Sequence, residues 1–191
     1  LIKNPKIVVL TGGIGTEREV SISTGNALTQ ALGKQYLVEL IDLTEEALPQ
    51  GINSGHSVVF PAIHGTFGED GRLQTLLEEK GILYSGSDPQ SSRLCMDKFE
   101  SKKTVAQAGV RVAPDFGFNH PKDLDISEVL TSLGQDLVIK PIDQGSSVAL
   151  FVLHGEDELR KTLEELEPGN WMIEQRIFGR EVTVGILGDC S

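Results

Sequence analysis

The segment Leu137-Val138-Ile139-Lys140-Pro141-Ile142-Asp143-Gln144-Gly145-Ser146-Ser147 decides how the second half of the chain folds. Three apolar residues deliver a lysine on a strand. A short loop with a glycine and two hydroxyls follows, and a second β-like run extends from Val148 to Leu153. The pattern predicts a β-hairpin whose loop suits a phosphate chain. The strand fixes the Lys140 ammonium as a point charge, and glycine, lacking a Cβ, lets backbone amides come close. It is not a P-loop, in which the lysine follows the glycines and opens a helix. The same residues also read as an ordinary hairpin carrying a surface lysine.

Outward from the hairpin, Leu159, Leu163 and Leu166 predict a helix, and Trp171 to Glu174 and Val182 to Leu187 predict strands. On the other side, Asp125-Ile126-Ser127-Glu128 has the form of a capping box, with Ile126, Val129, Leu130 and Leu133 as the apolar stripe behind it. This is an α+β arrangement. The first half differs. Strands at Lys6 to Leu10, Leu37 to Ile41 and Ser57 to Phe60 alternate with helical stripes. One stripe is Val20, Thr24, Ala27, Leu28, Ala31 and Leu32; the other is Leu73, Leu76 and Leu77. Such alternation predicts a parallel sheet with crossover helices, whose ligands bind beyond the carboxyl ends of the strands. Those ends carry Gly12-Gly13 and His64-Gly65. A boundary is expected near Ser85-Gly86-Ser87-Asp88-Pro89, where Asp88 caps a helix bearing Met96, Phe99 and Lys103 on one face. No internal repeat or low-complexity tract is present.

The 191 residues carry 17 Lys and Arg against 28 Asp and Glu, a formal net charge of −11. Such a surface repels nucleic-acid phosphates and anionic lipid, so neither is an expected partner. A nucleotide site must then be a local exception built from a few placed cations. Cys95 and Cys190 have no CxxC or metal spacing and suit a reducing compartment. No apolar stretch approaches the ~18 residues of a membrane span. A soluble, cytoplasmic protein is expected.

Gly12-Gly13-Ile14-Gly15-Thr16-Glu17-Arg18-Glu19 imitates a dinucleotide fingerprint, with Asp42 near the end of the second strand. The match fails at the third glycine position, which is Arg18, and Glu17 and Glu19 would repel a pyrophosphate. A carboxylate at this mouth better meets an ammonium, although Glu17 also reads as a first-turn acid. His64, within the glycine-dense His64-Gly65-Thr66-Phe67-Gly68-Glu69-Asp70-Gly71, can donate to a carboxylate or developing oxyanion. Asp70 reads as a helix cap and Glu69 as a partner for a cation. Lys98 and Lys140 are the two lysines suited to a polyphosphate. In Met172 to Glu181, adjacent backbone donors and acceptors can read an adenine edge, and Glu181 can accept from ribose hydroxyls.

Taken in order, five pieces resemble the bacterial D-alanine–D-alanine ligases of the ATP-grasp superfamily. They are Gly12-Gly13 with Glu17-Arg18-Glu19-Val20-Ser21, His64-Gly65 through Gly68-Glu69-Asp70-Gly71, Met96-Asp97-Lys98, Lys140-Pro141 with Gly145-Ser146-Ser147, and Gly179-Arg180-Glu181-Val182-Thr183-Val184. The resemblance spans the chain and rests on the combination. It implies a Rossmann-like, pre-ATP-grasp parallel sheet over residues 1–87, a central ATP-binding subdomain over 88–179, and the start of a C-terminal subdomain over 180–191. It implies ATP and magnesium (or manganese) as cofactors, D-alanine as substrate, and a homodimer. Lys98 and Lys140 would contact the ATP phosphates, with Ser147 and the loop amides covering them. Glu174, Arg176 and Ile177 would hold adenine, and Glu181 the ribose. Glu17 would take the ammonium of the first D-alanine and His64 would sit by its carboxyl group. Ser146 would join Glu17 at the catalytic centre by tying the loop across the substrate. The implied reaction runs through a D-alanyl phosphate to the dipeptide used in cell-wall synthesis.

Four positions depart from the family pattern: Gly15 stands where serine is usual, Ala149 where glycine is usual, and Gln175 and Arg176 replace commoner residues, which a backbone-read adenine site tolerates. Magnesium ligands are expected beyond Ser191, so the chain reads as a fragment that is inactive alone. A D-alanine–D-lactate ligase or another ATP-grasp carboxylate–amine ligase fits the same residues. A non-catalytic nucleotide-binding module is the reading of another class.

Overall fold

A computed structural model describes residues 4–52, 54–145 and 149–185. The chain divides into two compact units. The first runs as far as Arg111 and includes the stretch from Ile142; the second comprises Val112–Pro141 and the chain from Ala149.

The first unit holds β1 (Lys6–Gly12), α1 (Arg18–Leu32), β2 (Val38–Leu43), β3 (Ser57–Pro61), α2 (Arg72–Glu79), β4 (Leu83–Tyr84), α3 (Pro89–Met96) and α4 (Lys98–Gln107). The four strands are parallel in the order β2-β1-β3-β4, with Val9 opposite Leu40 on one side and Phe60 on the other. β1 is central and covered on both faces, which is why it reads as a continuous apolar run. Val8 and Leu10 pack with Val59, Leu73 and Leu77, while Ile7 and Val9 pack with Leu28 and Leu32.

The buried face of α1 is not the expected one. Leu28 and Leu32 reach the sheet, but Val20, Ala27 and Ala31 are exposed, and the closest approach is made by Ser21 and Gly25. Thr11 Oγ1 donates to the Ser21 carbonyl at 2.6 Å, and a Cβ on Gly25 would lie 2.5 Å from that hydroxyl. Small residues let the helix settle onto β1, and their low hydropathy hides the face from an apolar count.

The helix expected after Asp88 is two helices. Asp88 caps α3 by accepting from Ser91 N and Oγ, both at 2.8 Å. Asp97 is extended (ψ 104°), ends α3, and caps α4 by accepting from Glu100 N at 3.0 Å. Both helices group with the first unit, whereas the reading from sequence began the next domain at residue 88. Gly71 makes that attachment: at φ +87° it lies so near Pro89 that a Cβ would come within 2.3 Å of the Pro89 carbonyl oxygen.

The second unit contains β5 (Asp115–Phe118), a 3₁₀ turn at Pro121–Asp123, α5 (Ile126–Leu133), β6 (Asp136–Pro141), β7 (Phe151–His154), α6 (Gly155–Glu165) and β8 (Trp171–Gln175). Its sheet is wholly antiparallel in the order β5-β8-β6-β7. The expected hairpin is β6 and β7. Along β6, Leu137 and Ile139 turn inward to Val129, Leu133, Leu159 and Leu163, so the period-two alternation sends Val138 and Lys140 to the opposite face. Asp125 caps α5 by accepting from Ser127 N and Glu128 N. The strand expected from Val182 is not formed over Glu181–Gly185, where Val182 and Val184 are exposed and pair with no strand among the described residues; Ile186 and Leu187 lie outside them.

Candidate functional site

In the first unit, the turn after β1 and the turn after β3 enclose a cavity of 180 Å³ lined by Thr16, Glu17, His64, Gly65, Thr66 and Gln144 among others. Glu17 is the N-cap residue of α1 and makes no side-chain cap bond. Its carboxylate instead lies against the backbone of Gly65. A Cβ there would sit 2.6 Å from Glu17 Oε2, and the φ of +72° is one that glycine adopts at little cost. Gly145 approaches the same oxygen, 3.8 Å from where its Cβ would be.

His64 is held on three sides. Its N–H donates to Ser21 Oγ at 2.9 Å, Nε2 lies 3.0 Å from Thr24 Oγ1, and Nδ1 lies 3.3 Å from Glu69 Oε1. Glu69 Oε2 also accepts from Gly65 N at 2.8 Å, so one carboxylate fixes both the ring and the turn beside it. Glu69, expected to pair with a cation, therefore works as a clamp on the His64 turn. Asp70 accepts from Phe67 N and Arg72 N and pairs with the Arg72 guanidinium, while Gly71 occupies the N-cap position of α2.

The cavity thus joins a carboxylate, an imidazole and main-chain groups in a volume suited to a small zwitterion. Glu17 offers an acceptor to an ammonium, and His64 offers a donor or a positive charge to a carboxylate. The dinucleotide reading loses its acid: Asp42 is bound bidentately by Arg18, which also donates to the carbonyls of Gly13 and Leu43. Lys98, the first residue of α4, also belongs to this unit. Its Nζ donates to the Ile142 carbonyl at 3.1 Å and to the Gln144 carbonyl, tying α4 to the stretch after β6.

In the second unit, the open face of the antiparallel sheet and the chain after β8 form a cavity of 540 Å³. Val138, Leu150, Val152 and Ile177 supply apolar walls, and Lys140, Glu174, Arg176 and Glu181 supply charge. Lys140 and Glu174 form an ion pair, both side chains mostly covered (22% and 14% exposed). β6 and β8 place them there, since Glu174 lies directly opposite Val138, two residues before Lys140. Two main-chain donors of the expected adenine edge are already used: Gln175 N donates to Pro114 O at 3.1 Å and Arg176 N to Asp136 O at 2.9 Å. The next N–H along is that of Ile177. The Arg176 guanidinium lies 4.7 Å over the Phe178 ring, an exposed pair at the rim that the sequence did not single out.

Within units, then, the fold brings together Glu17 and His64, and separately Lys140, Glu174, Arg176, Ile177 and Glu181. Ser146 and Ser147 lie outside the described residues. Thr16, Thr66 and Gln144 were missed because polar residues in turns carry no periodic signal. Among the described residues, no group of three or more His, Cys, Asp or Glu could hold a metal ion.

Two family models match the chain: the D-ala D-ala ligase N-terminus over residues 49–87, and the D-ala D-ala ligase C-terminus over residues 105–191. The D-alanine–D-alanine ligase of Syntrophotalea carbinolica is 40% identical over 189 residues, which are 97% of this chain and 61% of that protein. The crystal structure of D-alanine–D-alanine ligase from Bacillus anthracis superposes with a TM-score of 0.78 at 36% identity, covering 92% of this chain and 58% of that one. A structure of that enzyme complexed with ATP gives the same TM-score at 35% identity, covering 93% and 58%. The chain spans about 60% of the length of these relatives. The matched stretches, the likeness running along nearly the whole chain and the common fold establish one conclusion: the chain belongs to the D-alanine–D-alanine ligase family.

Proposed function

We propose that this chain provides the first amino-acid site and much of the nucleotide site of an enzyme that joins two D-alanines at the expense of ATP. The observation that carries this reading is the Glu17 carboxylate and the His64 ring lining one 180 Å³ cavity. An amino acid bound there is held at both ends, by its ammonium on Glu17 and its carboxylate beside His64. The 540 Å³ cavity suits a nucleoside, with apolar walls for a base, Glu174 to Ile177 along its edge, and Glu181 for ribose hydroxyls. Lys140 and Lys98 serve the phosphates, each exchanging its present partners for phosphate oxygens. Ser146 and Ser147 keep the roles the resemblance gives them.

When bound, ATP supplies the phosphoryl group that turns the first carboxylate into a reactive acyl phosphate, which the amine of the second D-alanine attacks. This chain's residues contribute positioning, charge neutralisation and exclusion of water from a group prone to hydrolysis. Magnesium or manganese finds no fitting group among the described residues, and no step is assigned to it. The reading brings with it a cytoplasmic location and a homodimer.

The test is an assay of the complete protein with ATP and D-alanine. ADP, phosphate and D-alanyl-D-alanine are expected in equal amounts. Offering D-lactate alongside D-alanine identifies the second acceptor. ATP consumption without dipeptide or depsipeptide would overturn the reading.

A further inference from the structure

Phe67 is a bulky residue with φ +72°, in the left-handed region that such side chains seldom enter. It lies in the turn that forms one wall of the 180 Å³ cavity, directly after Gly65 and Thr66. Backbone outliers of this kind persist only where the surroundings over-determine them, and they gather at functional sites.

The surroundings here are explicit. The Phe67 ring is buried in the core with Leu73 and Leu77. Its N–H donates to Asp70 Oδ2 at 2.8 Å, and its carbonyl accepts from Leu73 N at 3.2 Å. Asp70 in turn is held by Arg72, whose Nε reaches Oδ2 at 2.9 Å and whose backbone N reaches Oδ1 at 3.1 Å. Another arm of the same guanidinium donates to Glu46 Oε2 at 2.5 Å, in the loop after β2. The guanidinium carbon lies 5.7 Å over the Phe67 ring. Arg72 therefore closes a circuit of Glu46, Asp70 and Phe67, yet it does not line the cavity.

We propose that Arg72 is a positioning residue for the amino-acid site, holding Phe67 in its left-handed conformation through Asp70 and so setting Gly65 and Thr66 against Glu17. The assignment rests on the reading that this cavity takes an amino acid. Only a planar fork can engage Asp70, Glu46 and the ring face at once; a lysine keeps the charge but reaches one carboxylate at a time.

The experiment uses the 191-residue chain, wild type, Arg72→Lys and Arg72→Gln, with two readouts. Amide exchange is followed at Phe67 and Gly65 against Val9 and Val59 in the sheet. D-alanine is titrated while the His64 ring resonance is observed. In both variants the Phe67 and Gly65 amides are expected to exchange at least about tenfold faster while the sheet amides are unchanged. D-alanine is expected to bind about tenfold more weakly, the scale of a small misplacement in a preorganised site. Unchanged exchange at Phe67 in Arg72→Gln overturns the proposal. So does a uniform acceleration that includes the sheet, which would mark a merely structural role, and so does wild-type behaviour of Arg72→Lys. A wild-type chain that gives no D-alanine response removes the functional reading instead, and the exchange comparison still decides the clamp.

Discussion

Arg18 grips both carboxylate oxygens of Asp42, Nη1 to Oδ1 at 2.9 Å and Nη2 to Oδ2 at 2.6 Å. The hydrogen bond to Asp42 raises the guanidinium's already high pKa. In a dinucleotide site an acid in the place of Asp42 receives ribose hydroxyls. Here each oxygen of that acceptor is already paired with a neighbouring cation. NADH in excess is expected to leave the amide resonances of residues 12–19 unmoved; a saturable shift there would reopen the dinucleotide reading.

Lys140 has two measurable consequences. Replacing it with methionine removes the ammonium from a mostly covered Glu174, and a loss of about 2 kcal/mol of unfolding free energy is expected. Adding Glu174→Gln should recover part of it, with urea unfolding as the measurement. In the complete enzyme, Lys140→Ala is expected to lower turnover by at least ~100-fold, as for loss of one preorganised electrostatic group. Undiminished turnover would take Lys140 out of the reaction.

The 191-residue chain alone is expected to bind ATP weakly. A non-catalytic nucleotide module would bind it tightly without magnesium, and calorimetry separates the two outcomes.

Gly25→Ala reverses a general rule. Alanine in a helix interior normally gains about 1 kcal/mol over glycine. The new methyl would meet Thr11 Oγ1 at 2.5 Å and Thr11 Cβ at 2.6 Å. A net destabilisation of about 1–3 kcal/mol is expected from overpacking, read by thermal or urea unfolding. A stabilised variant would show that α1 can shift away from β1 freely.

Two groups give the stability profile opposite pH edges. Burial, with help from the hydrogen bond to Glu78, pushes the Tyr84 phenol up to about 12. Its folded-state value is raised, so its contribution is full below the unfolded value of about 10 and disappears toward 12. Tyr84→Phe should flatten that alkaline limb. Asp88 is lowered by the backbone N–H and hydroxyl of Ser91. Its contribution is present above about 3.9 and is lost as pH falls through the depressed value. Asp88→Asn, which still accepts from Ser91 but does not titrate, should unfold with less acid dependence. Parallel profiles for wild type and variant would remove either group from the account.

What could be read from the residues follows physical rules visible along the chain. β1 and β3 are apolar runs because both faces are covered, and β6 alternates because one face is. The caps at Asp88 and Asp125 announce themselves by residue type. The first strand of the antiparallel sheet did not. β5 has four residues, one of them Gly117, and its partner β8 lies some sixty residues away. Nor did the break at Asp97, since an acid inside a helical stripe looks like a solvated one. At the site, Glu17 and His64 stood out through the glycines around them. The clamp from Glu69 and the circuit through Arg72, Asp70 and Glu46 depend on three loops meeting, and nothing in local spacing records that.

The strand order β5-β8-β6-β7 carries a consequence for how the protein is made. β8, the last of the second unit's described strands to leave the ribosome, inserts between two strands synthesised long before it. Until Trp171–Gln175 emerges, β5 lacks the neighbour it pairs with and β6 has one edge unzipped. The β6–β7 hairpin can form by His154, but the second sheet is completed only late, whereas the parallel sheet has all its described strands in hand by Tyr84. Nascent chains paused before residue 171 should be open to protease between β5 and β7 while the first sheet is already protected.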